Sequence, residues 1–234
     1  MGAEFAKTLD YLTQHHEEYS AMVLRGAGRA FSAGGDLEFL RARSRDSPHN
    51  NAREMRDFYA RFLGVRKVPL PTIAAINGAA VGAGLCVALA CDLRLVARSA
   101  KVGVTFAKLG LHPGMGTTHF LPLAVGAQNA SRLIFTGDLV SGEEFTAMGG
   151  CLEAVDGDGE AVVKRALELA ARVAGSAPLS TRASVLSVRQ LQDANLERAL
   201  LREADAQAQS YASRDLAEGV DATAEKRAPV FRGV

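Results

Sequence analysis

Apolar positions along the chain repeat with two periods, and each period predicts a different element. Phe5, Leu9 and Leu12 recur at helical spacing, and residues 21–24 form a short apolar run suited to a buried strand. That first helix has no Ser, Thr, Asp or Asn ahead of it, so further residues are expected upstream of Met1. Small residues interrupt RGAGRAFSAGGDLEFL until a helical pattern resumes at Asp36, which predicts strand, loop and helix start. Residues 44–51 are polar, include Pro48 and predict a mobile connection. Met55, Phe58, Tyr59, Phe62 and Leu63 mark an amphipathic helix that Pro69 and Pro71 end.

Residues 72–76 are β-compatible, Asn77-Gly78 is a turn signal, and GAGLCVALACD reads as a short apolar helix closed by Asp92. LRLVAR and KVGVT follow as strands, and Pro113-Gly114 stands before a helical segment ending near Gly126. Strands alternating with helices predict an α/β domain. Beyond Gly150 only residues 152–155 look like strand. The remainder is helical: one helix over 162–173, others over 186–200 and 204–211. The expected division is a core over 1–176 and a helical region over 177–234. Leu186, Leu191, Leu196, Leu200 and Ala204 give that region apolar faces that must pack on the core or on a neighbouring subunit.

Composition narrows the function classes. Hydrophobic residues are 48% and charged residues 23% of 234, a globular balance rather than a disordered one. With 27 Lys+Arg against 26 Asp+Glu the net charge is +1, which offers no footprint for nucleic acid or an anionic membrane surface. The apolar stretches 72–81 and 85–90 fall short of the roughly 18 to 20 residues a bilayer span needs. The polar beginning is not a secretory signal. Cys86, Cys91 and Cys151 are odd in number and lack metal-ligand spacing, so reduced thiols, no metal and an intracellular, reducing compartment are expected.

Two glycine-rich turns stand out: Ser32-Ala33-Gly34-Gly35-Asp36 and Gly82-Ala83-Gly84, each between a strand and a helix. Small residues there let backbone N–H groups point into open space at a helix N-terminus. Two such groups aimed at one point stabilise a carbonyl oxygen as it becomes an oxyanion. The same glycines also serve tight turns or close helix packing. A dinucleotide fingerprint is excluded because its third glycine would fall on Val87, and no P-loop lysine follows.

FSAGGDL, PTIAAINGAAVGAG, ALACDLRLVA, LGLHPGMGTTHFLPLAVG and EKRAPVF, in that order, resemble the enoyl-CoA hydratase/isomerase, or crotonase, family over nearly the whole chain. The resemblance implies a spiral of ββα units with a C-terminal helical trimerisation region. It implies an acyl-CoA thioester as substrate, no covalently bound cofactor, and a homotrimer or dimer of trimers in the mitochondrial matrix or cytoplasm. It also places the two oxyanion donors on Gly35 and Ala83. Ala33, Gly34, Asp36 and Leu37 then fall in the turn that binds CoA, with Arg29, Lys226 or Arg227 as phosphate partners. Upstream, the family pattern carries about twenty to thirty further residues.

Departures from that pattern bear on the chemistry. Cys86 and Phe106 stand in the acyl site where hydratases of the family carry glutamates. Hydration needs a base for water and an acid for the α-carbon, which a thiol and a phenyl ring do not supply. Gly114 replaces the aspartate that some dienoyl isomerases use. Cys86 lies in an apolar run and reads as a buried, inert thiol. His112, just before Pro113-Gly114, is the candidate acid or base, with a packing or hydrogen-bonding role as the alternative. Asp36 reads as a helix cap and Asp92 as a helix terminator or buried partner of backbone N–H groups. The expected function is an acyl-CoA enzyme with hydratase activity in doubt. A non-catalytic acyl-CoA-binding or structural protein and an acyl-CoA decarboxylase are the alternatives.

Overall fold

The computed structural model describes residues 1–234. Its main sheet is wholly parallel, in the order β1 (Met22–Arg25), β2 (Thr72–Ile76), β4 (Leu93–Ala97) and β7 (Glu153–Val155). All five residues of β2 are buried, which is why residues 73–76 are apolar without alternation, while the Thr72 hydroxyl at its start is satisfied by Asp92. Its neighbours are fixed by the register Leu24 to Ala74 on one side and Ala75 to Leu95 on the other.

A second, shorter ladder runs alongside in sequence. Ser32 bridges to Ala80 of β3 (Ala80–Val81), β3 pairs in parallel with β5 (Lys101–Gly103), and β5 pairs antiparallel with β6 (Val140–Ser141). Each step of the chain therefore repeats one pattern: a main-sheet strand, a short second strand, then a helix. β1, Ser32 and α2 (Leu37–Arg43) form one step; β2, β3 and α4 (Ala83–Ala90) the next; β4, β5 and α5 (Thr117–Thr136) the third. The result is the expected spiral of ββα units, closed by α6 (Gly142–Ala147), β7 and α7 (Gly159–Ala174).

Several boundaries differ from those the sequence predicts. Residues 48–51 are not part of a connection but the first turn of α3 (Pro48–Leu63): Pro48 sits at the first helical position and the Ser47 side chain accepts from the Asn50 N–H. Proline there loses nothing, because that N–H has no helical partner anyway. The helix around Pro122 does break at Gly126, whose φ of 75° is non-helical, but a second helical stretch then runs on to Thr136. The C-terminal break falls at residues 193–195, between α8 (Pro178–Gln192) and α9 (Leu196–Tyr211), and α10 (Arg214–Glu225) follows.

One core of 42 buried residues runs from Leu9 in α1 (Gly2–Gln14) to Val220 in α10. Residues 177–234 contribute Ala204, Tyr211, Leu216 and Val220 to that same core. α8 is different, since Leu179, Leu186, Val188 and Leu191 are all exposed. It is tied down by two arginines one heptad apart. Arg182 donates to the carbonyls of His16 and Glu17, while Arg189, 3% exposed, donates to those of Arg66, Val68 and Leu70. Arg189 also makes a two-pronged ion pair with Asp92, at 2.8 and 2.6 Å. Asp92 in turn accepts from the Thr72 N–H and hydroxyl, the backbone role expected of it. No helix is long and apolar enough to cross a membrane.

Candidate functional site

The two glycine-rich turns meet. Ser32 donates its N–H to the Ala79 carbonyl and accepts the Val81 N–H at its own carbonyl, both at 3.0 Å. From below, the Asn77 side chain accepts from the Gly26 N–H and donates to the carbonyls of Gly26 and Gly28, joining the loops that leave β1 and β2. Gly34 has φ 97° and sits so close to the second turn that a Cβ would lie 2.9 Å from the Val81 carbonyl oxygen and 3.9 Å from the Ala83 nitrogen. Gly84 is tighter still, because a Cβ would lie 2.5 Å from that of Ser32. These two glycines are there for close approach.

Neither the Gly35 nor the Ala83 N–H has an acceptor within the protein. Ala83 is the first residue of α4, where no carbonyl lies a turn earlier, and Gly35 is exposed with open space on the side where a Cβ would project. Asp36 has a structural role: its carboxylate accepts from the N–H groups of Glu38 and Phe39 and caps α2, and its carbonyl accepts from the Leu40 N–H. Ala33 is exposed and Leu37 packs partly on the core.

The stretch 111–118, a loop that runs into the first two residues of α5, lies against α4. One turn beyond Ala83, the Cys86 thiol is 2.9 Å from Thr117 Oγ1 and 3.1 Å from the Gly82 carbonyl oxygen, and the Thr117 hydroxyl donates to the Gly114 carbonyl at 2.6 Å. His112, half-buried in this loop, has Nδ1 2.6 Å from the Pro113 carbonyl oxygen. Nδ1 must carry the proton to make that bond, so Nε2 holds the lone pair. Burial lowers the imidazole pKa, the Pro113 bond opposing it, so His112 is neutral near pH 7.

Comparison with known proteins fixes the lineage of this arrangement. Residues 1–234 match the enoyl-CoA hydratase/isomerase family along their whole length. The chain belongs to that family. It is 33% identical over 234 residues to the mitochondrial methylglutaconyl-CoA hydratase of Mus musculus, covering 97% of this chain and 72% of that one. It is 36% identical over 216 residues to a probable enoyl-CoA hydratase of Bacillus subtilis, covering 91% and 81%. The crystal structure of an enoyl-CoA hydratase/isomerase from Pseudoalteromonas atlantica superposes with a TM-score of 0.82 at 29% identity, covering 99% and 88%.

In this family member the two candidate acyl-site positions differ from one another. Phe106 lies on the turn Thr105–Leu109, partly buried against the core. Cys86 is fully buried, as its apolar run predicts, and burial pushes its thiol up to about 12, which leaves it inert. Cys91 and Cys151 are also free, buried and pushed up to about 12. Of the cationic candidates, Arg227 is committed to Glu218 and Glu225, whereas Arg29 and Lys226 have no ion pair. No three His, Cys, Asp or Glu side chains converge to hold a metal ion.

Sequence reasoning missed a carboxylate beside the site. Glu203 of α9 is fully buried and accepts from the Gly116 N–H at 2.6 Å, the Thr118 N–H at 2.8 Å and the Thr118 hydroxyl at 2.6 Å. Burial raises its pKa against the pull of those hydrogen bonds. Its sequence context, EADAQAQSY, reads as a solvated helix face, and nothing local marks Glu203 as inward.

Proposed function

We propose that the protein binds acyl-CoA thioesters and uses the Gly35 and Ala83 amides to stabilise a thioester enolate. One observation carries this reading: two amides without internal partners stand on turns that backbone hydrogen bonds lock together, so their spacing is set before a ligand arrives. Ala33, Gly34, Asp36 and Leu37 supply the backbone surface for CoA, with Arg29 and Lys226 as the free cations for its phosphates.

Cys86 and Phe106 hold no usable proton, and His112 alone offers a lone pair near neutral pH. Loss of CO2 from a carboxyacyl-CoA suffers least from this. The bond from the α-carbon to the carboxylate breaks, its electron pair passes into the thioester, the two amides take up the charge, and solvent then protonates the α-carbon. Incubation with methylmalonyl-CoA is expected to release CO2 and propionyl-CoA, and incubation with crotonyl-CoA to give almost no product. Calorimetric binding without product from either would instead make the chain a non-catalytic acyl-CoA-binding protein. Absence of any binding up to millimolar thioester would overturn the proposal.

The homotrimer, or dimer of trimers, belongs to the same proposal. Leu179, Leu186, Val188 and Leu191 leave α8 with more exposed apolar surface than a lone subunit usually keeps. Light scattering at micromolar concentration is expected to read three or six times the chain mass; a monomer would contradict it.

A further inference from the structure

We infer that Glu203, Gln207 and Ser210 of α9 are positioning residues of the site: from one helix face they hold the loop 111–118 against α4 and so set where the His112 ring stands. The inference rests on the reading that an acyl thioester is bound beside that loop. The three side chains are spaced i, i+4 and i+7, which puts them in one row along the helix. Both backbone groups of His112 are taken by this row. Its N–H donates to Ser210 Oγ at 3.1 Å, and its carbonyl accepts from Gln207 Nε2 at 3.0 Å. Gln207 is itself fixed, because the buried Tyr59 hydroxyl of α3 donates to its Oε1 at 2.7 Å. The Ser210 hydroxyl itself donates to the Ala206 carbonyl at 3.0 Å.

The loop needs such support. Met115 and Gly116 have consecutive positive φ values of 57° and 75°, and a methionine holds that conformation only where its surroundings over-determine it. Directly after Met115, the Gly116 N–H goes to the Glu203 carboxylate. A fully buried carboxylate is retained where donors satisfy it, and all of its donors come from this one loop. On the opposite side Cys86 and Thr117 tie the loop to α4, one turn from the Ala83 amide. α9 thus reaches the site through the backbone of His112 without touching substrate.

The test uses the full chain with 15N-labelled imidazoles, the His112 signals being those lost in His112→Gln. Wild type is expected to show the Nδ1–H tautomer at His112. In Ser210→Ala and in Gln207→Leu the Nε2–H form should gain population, while His15, His16, His49 and His119 keep their signals. Ser210→Thr, which retains the hydroxyl, should restore the wild-type pattern. Ser210→Ala removes one atom from a half-buried helix position, so it folds even where Gln207→Leu does not. His112 signals unchanged in Ser210→Ala would overturn the inference. If wild type consumes no thioester but the tautomer still shifts, positioning by α9 stands and the functional proposal is what fails.

Discussion

Crotonyl-CoA should be hydrated by this protein at least about four orders of magnitude more slowly than by relatives that carry both carboxylates. Each positioned acid or base typically contributes about a hundred- to ten-thousand-fold, which for two would sum to about four to eight orders, and because such effects are not additive the loss is expected near the lower figure. Cys86 does not compensate, because its buried thiol stays protonated far above neutral pH. The informative comparison is Cys86→Glu with Phe106→Glu in one chain. Return of hydration there assigns the loss to the missing carboxylates. Position 86 is the harder one to restore: the cysteine is already enclosed by Gly82, Gly114 and Thr117, and the nearby Glu203 charge raises its pKa further. Cys86→Glu alone should therefore lower the melting temperature, and Phe106→Glu much less. Brisk hydration by the wild type would mean that another group supplies the proton, with His112 the first to examine.

Arg189→Leu should destabilise the fold by about 3 to 5 kcal/mol, the usual cost of removing one partner from a buried ion pair. Asp92 would lose its two-pronged partner and keep only the looser Arg66 contact at 3.7 Å and the Thr72 donors, and the Val68 and Leu70 carbonyls would lose the donor that now satisfies them. Urea unfolding reads the loss as a lower midpoint. A double variant, Arg189→Met with Asp92→Asn, should recover part of it, because no charge is then stranded. The pair also leaves a mark on pH dependence. Burial alone would raise the Asp92 pKa, but the Arg189 and Thr72 hydrogen bonds and the Arg189 charge outweigh it and hold the carboxyl below its usual 3.8. The native state then binds fewer protons than the unfolded one in that range. This stability is fully present above about pH 4 and is lost as pH falls through the depressed native value. Wild type and Asp92→Asn should accordingly differ most near neutrality and converge on acidification; a constant gap would contradict the assignment.

What the sequence shows and what it hides follow from how local each signal is. Asp36 is legible as a cap because its partners, the Glu38 and Phe39 amides, are two and three residues away. β2 is legible because burial on both faces makes residues 73–76 apolar without alternation. α6 carried a readable capping box, Ser141 with Glu144, that its six-residue length concealed. The break at residues 193–195 has neither glycine nor proline to announce it, so the apolar spacing reads as continuous from Leu191 to Leu196. The two glycine-rich turns stand out as small residues between strand and helix. Glu203, Gln207 and Arg189 do not, since each is inward only because a segment some 85 to 148 residues away meets it, and polar helix residues otherwise read as a wet face. Their roles come from tertiary placement, which no local pattern encodes.

Central to this account is that Gly35 and Ala83 donate together to one thioester oxygen. Selective 15N labelling of glycine and alanine, followed by titration with a non-reacting acyl-CoA, observes those two amides directly. Both should shift downfield and saturate with a single shared dissociation constant, while the partnered Gly82 amide moves little. Saturable binding that leaves both the Gly35 and the Ala83 resonances unmoved would contradict the account.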